Sequence, residues 1–227
     1  MDRQEENIEC KFSKIYRNHT WSGKSLSGPG SELARTRKYV KLVNTILADP
    51  KLHIQSVVEL GCGDWMFSKT ISWGDRKYTG IDIVPELVEQ LNRTYHSDNR
   101  IFLCLDFLSS SPPAGDLLII KDVLQHLSND SVTRFISTCL PLYHYALITN
   151  DYSRYFVTLS GKILPEVTRF AVKNSDTHDG GSRPLELTAT PFKLNARRIL
   201  RYTNSWVANR TLYHYVKHSL FWTRIDA

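Results

Sequence analysis

The sequence predicts an α/β fold: a doubly wound, mostly parallel seven-stranded sheet with a C-terminal antiparallel hairpin and lid insertions. Three observations carry that expectation. Between residues 54 and 150, short apolar runs alternate with amphipathic helical stretches of roughly 10 to 15 residues, the pattern of repeated βαβ units. The first run ends in a glycine turn, Gly61-Cys-Gly63. The alternation stops at Asp151, and two runs with period-2 patterning close the chain.

Residues 13–30 carry Ser13, Ser22, Gly23, Ser25, Ser27, Gly28, Pro29 and Gly30, which predict a loop. Ser31 is a natural N-cap with Glu32 behind it, and Leu33, Val40, Val43 and Leu47 follow at helical spacing until Asp49-Pro50 stops the helix. Ile54 to Leu60 reads as a strand, Trp65 to about Ser72 as a helix and Lys77 to Ile83 as a second strand. Pro85 suits the first helical position and opens a helix to Tyr95, with Leu87, Val88 and Leu91 on one face. Arg100 to Leu105 and Asp116 to Ile120 are the third and fourth strands. A helix from about Asn129 or Asp130 to Leu140 turns Val132, Phe135, Ile136 and Leu140 inward, and Tyr143 to Thr149 is the fifth strand. From residue 152 to about 193 the chain is irregular around Asp179-Gly-Gly-Ser-Arg-Pro184, and so long a segment in a compact domain is usually a lid or functional insertion. Arg197 to Trp206 and Tyr213 to Thr223 form the closing hairpin. One domain is expected, in four parts: an N-terminal loop and helix (1–53), a cofactor-binding core (54–151), a lid and acceptor segment (152–195) and the hairpin (196–227).

With 227 residues, 41% of them hydrophobic, the chain can bury a sizeable core, and its five Trp and eleven Tyr exclude a disordered chain. Mean hydropathy is −0.31. No run of about 18 apolar residues occurs, which excludes a membrane-spanning helix. Met1 to Glu9 lacks the apolar stretch of a secretory signal, so a cytoplasmic protein is expected. Cys10, Cys62, Cys104 and Cys139 lie 52, 42 and 35 residues apart, matching neither zinc-ligand spacing nor a compact disulfide framework, so reduced thiols and no metal are expected. The net charge of +6 is uneven: residues 1–56 carry 10 basic and 6 acidic side chains, 57–151 carry 7 and 12, and 152–227 carry 12 and 5. An acidic middle argues against a nucleic-acid clamp and puts any basic surface on the flanks.

Gly61 and Gly63 let the backbone pass close to a ligand at the carboxyl end of the sheet, where open α/β folds bind. Asp82 ends the second strand 21 residues after Gly61, placed to accept hydrogen bonds from a ribose diol. A dinucleotide would need a third glycine where Met66 stands. Glu59, two residues before Gly61, would repel a pyrophosphate but suits a ligand with a positive ammonium. The site reads as one for a nucleoside cofactor other than NAD.

Residues 54–150 resemble the class I S-adenosylmethionine-dependent methyltransferases, whose sheet is Rossmann-like. Glu59-Leu-Gly-Cys-Gly63 looks like their first motif, and Gly80-Ile-Asp82 looks like the ribose-binding end of their second strand. Leu105-Asp-Phe107 looks like the third-strand motif at the adenine, and the stretch from Asp116 to Leu127 looks like the one beneath the methionine portion. The resemblance implies S-adenosyl-L-methionine as cofactor, bound by Glu59, Gly61, Gly63, Asp82, Asp106, Phe107 and Lys121. Trp65 stands where many members have glycine; Gly63-Asp-Trp65 is similar to a bacterial-type branch often linked with glycan gene clusters.

Methyl transfer from a sulfonium needs alignment, plus removal of a proton when the acceptor is a hydroxyl or neutral amine. No nucleophile elbow, Walker loop or paired metal histidines occur. Candidate bases at the strand ends are Asp122, His126 and Asp151, with His178 and Asp179 in the lid. Arg183, beside Gly180-Gly181, is placed to reach an anionic acceptor, making His178, Asp179 and Arg183 the candidate substrate residues. Ser22 to Ser31 and Asp176 to Phe192 form the two parts of the expected lid. The leading expectation is a methyltransferase acting on a hydroxyl of a sugar, glycan or other small molecule, with an anionic acceptor favoured by the basic flanks. Alternatives are a nucleic-acid methyltransferase, for which Lys121-Asp-Val-Leu124 lacks the Asn/Asp-Pro-Pro-Tyr signature, a non-catalytic cofactor-binding protein, and a nicotinamide oxidoreductase.

Overall fold

The computed structural model describes residues 7–21, 23–157, 163–165, 173–208 and 211–224. Expectations for Ser22, for residues 158–162 and 166–172 and for the turn at 209–210 lie outside the described residues. Five parallel strands form the centre: β1 (Ser56–Leu60), β2 (Lys77–Asp82), β3 (Arg100–Cys104), β4 (Gly115–Lys121) and β5 (Tyr143–Val157). A short β6 (Ile163–Pro165) pairs antiparallel with the outer end of β5, and β7 (Arg197–Ala208) and β8 (Thr211–Thr223) close the chain. The order is β3-β2-β1-β4-β5-β8-β7, with β8 antiparallel to both neighbours. The expected seven-strand path is present and β6 adds an eighth strand. The order of the strands reverses between the parallel β1 and β4, so the crevice beyond their carboxyl ends is where such a sheet receives a ligand.

Leu117 to Ile120 in β4 are at most 1% exposed, because both faces of the sheet are covered. On one face lie α2 (Leu33–Ala48), through Tyr39, Val43, Ile46 and Leu47, and α3 (Pro85–Tyr95), through Leu87, Val88 and Leu91. On the other lie Leu124 and Leu127, then α4 (Asn129–Arg134) with Val132 and Phe135 after it. Each such side chain contributes about 1.5–3 kcal/mol on burial.

Four local expectations change. A helix α1 (Ile8–Arg17) occupies the start of the expected 13–30 loop. Asn7 caps it by accepting from the Glu9 N–H at 3.1 Å, and Ile8, Phe12 and Tyr16 lie along one face. The expected helix from Trp65 to Ser72 is reduced to one 3₁₀ turn, Ser68–Thr70. Gly61, Gly63 and Trp65 have φ of +69°, +56° and +56°, and so left-handed a turn cannot lead directly into a right-handed helix. The helix expected to reach Leu140 is α-helical only to Arg134, then widens into a π turn (Phe135–Cys139) and a 3₁₀ turn (Leu140–Leu142). Pro141 explains this, since it cannot donate to Ser137 and its ring crowds that carbonyl. Finally, β5 continues to Val157, past Thr149, because β8 pairs with it from Tyr145 opposite Thr223 to Val157 opposite Leu212, with a register shift between Asp151 and Ser153.

Candidate functional site

A cavity of about 750 Å³ lies over the carboxyl ends of β1, β2, β4 and β5. Gly61, Asp82, Asp106 and Phe107 line one part of it, and Lys121, Asp122, His126, Asp151 and His178 line the rest. Of the expected site residues, Glu59, Gly63, Asp179 and Arg183 do not line it.

The glycine turn is built against Asp82. The Gly61 and Cys62 N–H groups donate to the Ile81 carbonyl at 2.8 and 3.0 Å. The Gly63 N–H then donates to Asp82 Oδ2 at 2.9 Å, and the Val84 N–H donates to Oδ1 at 3.2 Å. Burial pushes the Asp82 carboxyl upward, while the backbone donors work to keep it ionised. A side chain at Gly61 would put its Cβ 2.3 Å from Val123 Cγ2, and one at Gly63 would sit 2.1 Å from Ser27 Oγ. Asp106 turns its own loop, accepting from the Leu108 N–H and the Ser109 hydroxyl, both at 2.9 Å, at the cavity edge beside Phe107.

Glu59 faces away from this cavity. Its carboxylate accepts from Ser68 Oγ at 2.8 Å and from the Tyr78 hydroxyl, which in turn accepts from Trp65 Nε1 at 2.8 Å. Burial lifts the Glu59 carboxyl from 4.5 to about 7. A buried acid with a raised pKa supports the fold below its unfolded value, and that support fades as pH rises through its folded value. The part of wild-type stability that Glu59 contributes should therefore fall between pH 4.5 and about 7. Glu59→Gln is expected to remove this slope and to be more stable at pH 8 by up to about 3 kcal/mol, at about 1.4 kcal/mol per pH step between the two values. Urea unfolding at pH 5 and 8 checks this; a variant with the same slope as the wild type would contradict it.

At the other end of the cavity five charges alternate in sign. Lys121 Nζ donates to the Gly30 carbonyl at 3.1 Å and to Asp122 Oδ2 at 2.5 Å. Lys217 Nζ bridges Asp122 Oδ1 and Asp151 Oδ1, each at 2.6 Å. Arg154 Nε donates to Asp151 Oδ2 at 2.9 Å, and its Nη2 donates to Ser182 Oγ at 2.7 Å. Burial alone would raise the Asp122 carboxyl, but Lys121 and Lys217 hold it far below the usual carboxylate range. Burial opposes the Lys217 charge too, yet the two aspartates raise its pKa. Asp122 sits at φ +60°, a left-handed backbone that aims its carboxylate between the two lysines.

His126 Nδ1 lies 2.7 Å from the Gly181 carbonyl. A carbonyl only accepts, so Nδ1 carries the proton and Nε2 keeps its lone pair. Burial lowers the imidazole pKa and Arg154 lowers it further, against Gly181, Asp122 and Asp151. The Trp21 ring stands 5.8 Å from the imidazole, centre to centre.

The glycine-containing segment around Gly180 and Gly181 packs on this histidine. The Gly180 N–H donates to the His126 carbonyl at 2.8 Å, and the Arg183 N–H donates to that of Gln125 at 3.1 Å. Asp179 spends both oxygens on the start of α4, accepting from the Ser128 N–H at 2.6 Å and from Ser131 Oγ at 2.8 Å. The Arg183 side chain is wholly buried, away from the cavity, and its guanidinium has no hydrogen-bond partner among the described residues. Of the three expected substrate residues, only His178 borders the cavity. The N-terminal arm forms the opposite wall. Asp64 Oδ2 accepts from Ser25 Oγ and the Leu26 N–H, both at 2.8 Å, and Oδ1 accepts from Ser27 Oγ at 3.2 Å. The two walls meet where Lys11 Nζ donates to the Asp179 carbonyl at 3.3 Å.

Sequence reasoning missed Trp21, Gln125, Arg154 and Lys217. Lys217 had no local signal: it lies in β8 within an unbroken buried run, Val216 to Leu220, where no alternation marks it. All four cysteines are free thiols. Among the described residues no cluster of His, Cys, Asp or Glu could hold a metal ion, and no helix is long and apolar enough to cross a membrane.

No protein-family model matches the chain, and no curated protein matches it. Solved structures do. Magnesium protoporphyrin IX methyltransferase of Synechocystis, solved with bound SAM, is 14% identical, with a TM-score of 0.58 over 96% of this chain and 99% of that one. The N-methyltransferase NodS of Bradyrhizobium japonicum, in complex with S-adenosyl-L-homocysteine, is 13% identical, with a TM-score of 0.55 over 95% of this chain and 99% of that one. A SAM-dependent methyltransferase of Leishmania major is 14% identical, with a TM-score of 0.58 over 94% of this chain and 84% of that one. At these identities the likeness is one of fold, and the chain has the fold of the class I methyltransferases.

Proposed function

We propose that this protein is an S-adenosylmethionine-dependent methyltransferase that methylates a hydroxyl of a sugar, glycan or other small molecule by direct displacement. The observation that carries the reading is Asp82. It is a nearly buried carboxylate, fixed by two backbone N–H groups, at the edge of a cavity large enough for cofactor and acceptor together. The residues fit the cofactor: Asp82 for the ribose, Asp106 and Phe107 for the adenine, and Gly61 for the close backbone approach. Lys121, with Gly30 beside it, would face the methionine portion. When bound, S-adenosylmethionine supplies a methyl group on a positively charged sulfur.

The chain's own task is then to orient the acceptor, exclude water and take one proton. Asp122 and Asp151 are poor bases, since every one of their carboxylate oxygens already accepts from a cation. His126 is the better base, neutral and with its lone pair on Nε2. The alternating charges hold three cations to two carboxylates, which favours an acceptor carrying one negative charge. Membership of the glycan-linked Gly-Asp-Trp branch is supported only by Gly63-Asp-Trp65. Asp64 there holds the N-terminal arm and Trp65 packs against Tyr78, so the motif serves the fold of the turn rather than the choice of acceptor.

Calorimetric titration with S-adenosylhomocysteine tests the reading. Wild type is expected to bind, and Asp82→Asn to bind about 10- to 100-fold more weakly, the loss of charge-assisted hydrogen bonds worth about 1.5–3 kcal/mol. No binding by the wild type would overturn it.

A further inference from the structure

We infer that Gln125 contacts the acceptor and that the Gln125–His126 pair selects a hydroxyl as the methylated group. The inference rests on the methyltransferase reading and extends it to a residue to which the resemblance assigns no role. Gln125 is 4% exposed and lines the cavity. Its Oε1 accepts from the Asp151 N–H at 2.7 Å, and because a backbone N–H can only donate, the carboxamide cannot be flipped. Its NH2 group is therefore turned the other way, 3.5 Å from His126 Nε2. That contact is at the long limit of a hydrogen bond. The site thus presents one amide N–H and one imidazole lone pair side by side at the cavity wall.

A hydroxyl matches this pair atom for atom. Its proton points to His126 Nε2, one oxygen lone pair accepts from Gln125, and the second remains for the methyl carbon. In the transfer the O–CH3 bond forms as the S–CH3 bond breaks, the sulfonium becomes a neutral thioether and the hydroxyl proton passes to His126. The resulting imidazolium keeps its Nδ1 bond to Gly181, with Asp122 and Asp151 favouring the charge and Arg154 opposing it. A carboxylate has no proton to give and would set its charge against the Nε2 lone pair. A neutral amine has a single lone pair, and Gln125 would compete with the methyl carbon for it.

The first test is ¹⁵N NMR of histidine-labelled wild type, in which His126 should show the Nδ1–H tautomer; the Nε2–H tautomer would overturn the inference. The second compares acceptors matched in shape: methyl glucoside, glucosamine and glucuronate, and phenol, aniline and benzoate, followed by release of S-adenosylhomocysteine and mass of the product. Glucosamine and glucuronate also carry hydroxyls, so the methylated atom is read from product fragmentation. O-methylation at hydroxyls alone is expected; transfer to nitrogen or carboxylate, or to none of the six, overturns the selection. In the third, Gln125→Glu keeps the acceptor for the Asp151 N–H but removes the NH2 donor. It should lower kcat about 10- to 100-fold, raise the His126 pKa in the NMR titration and leave S-adenosylhomocysteine affinity unchanged. An unchanged kcat would overturn the role of Gln125, whereas loss of cofactor binding by the wild type would instead remove the methyltransferase reading.

Discussion

His126→Asn is expected to lower kcat by about 10²–10⁴-fold, the range for loss of a positioned general base, while S-adenosylhomocysteine binds as before. The expectation follows from elimination among the titratable groups that line the cavity from Lys121 to Asp151. Asp122 accepts from Lys121 and Lys217, and Asp151 accepts from Lys217 and Arg154. Protonating either carboxylate would break an ion pair in a buried place, so neither is suited to collecting a proton. The imidazole is different. Burial, with Arg154 nearby, keeps it neutral, and Gly181 fixes which nitrogen is bare. Because the pKa is lowered, the base form persists to pH values below 6.5, and the acid limb of the kcat profile should fall there. In the variant that limb should vanish. A profile of kcat against pH on any acceptor turned over by the wild type checks both statements; a loss smaller than tenfold would return the role to another group.

Lys217→Met should destabilise the protein by about 3–5 kcal/mol, the cost of leaving buried carboxylates without the cation that bridges them. The methionine fills the space of the lysine stem, so little of the cost is cavity formation. For a chain of this size the melting temperature should fall by roughly 6–20 °C. The loss has a pH signature. Asp122, held far below its ordinary pKa by Lys121 and Lys217, contributes stability above about pH 4, and that contribution is lost as pH falls further. Without Lys217 the acid sensitivity should be smaller. Thermal melts at pH 7 and pH 3 decide; a fall of less than about 2 °C at pH 7 would mean that the bridge between the two aspartates is energetically neutral.

The parallel half of the sheet was legible because its signals are local. Apolar runs, the spacing of Gly61, Gly63 and Asp82, and Pro85 at a helix start each depend on a few neighbouring residues, and β2, α3 and β4 lie within a residue or so of their expected bounds. What could not be read depends on long-range pairing. Lys217 reaches Asp122 from a strand 95 residues away, and only because β8 runs antiparallel beside β5. Arg183, between Ser182 and Pro184 after two glycines, reads as exposed loop. The N–H groups of Arg183 and Leu185 donate to the carbonyls of Gln125 and Asp151, which draws that backbone against the sheet and turns the guanidinium inward. Trp65 was expected to start a helix because its residue type allows one; its left-handed backbone is imposed by the turn before it. Helix α1 was missed because Ser13, which lies within it, was grouped with the serines and glycines that follow from Ser22.

Asp64 belongs to the glycine turn, yet its carboxylate is satisfied by Ser25, Leu26 and Ser27 of the N-terminal arm, and Ser27 Oγ accepts in return from the Asp64 N–H at 2.9 Å. Roof and floor of the cavity are therefore one joint. A shortened protein beginning after residue 27 would not be an open-topped version of the same enzyme, because the floor would lose the partners that shape it. The arm is foundation as much as cover, and any fusion or trimming at that end has to leave Ser25 to Ser27 in place.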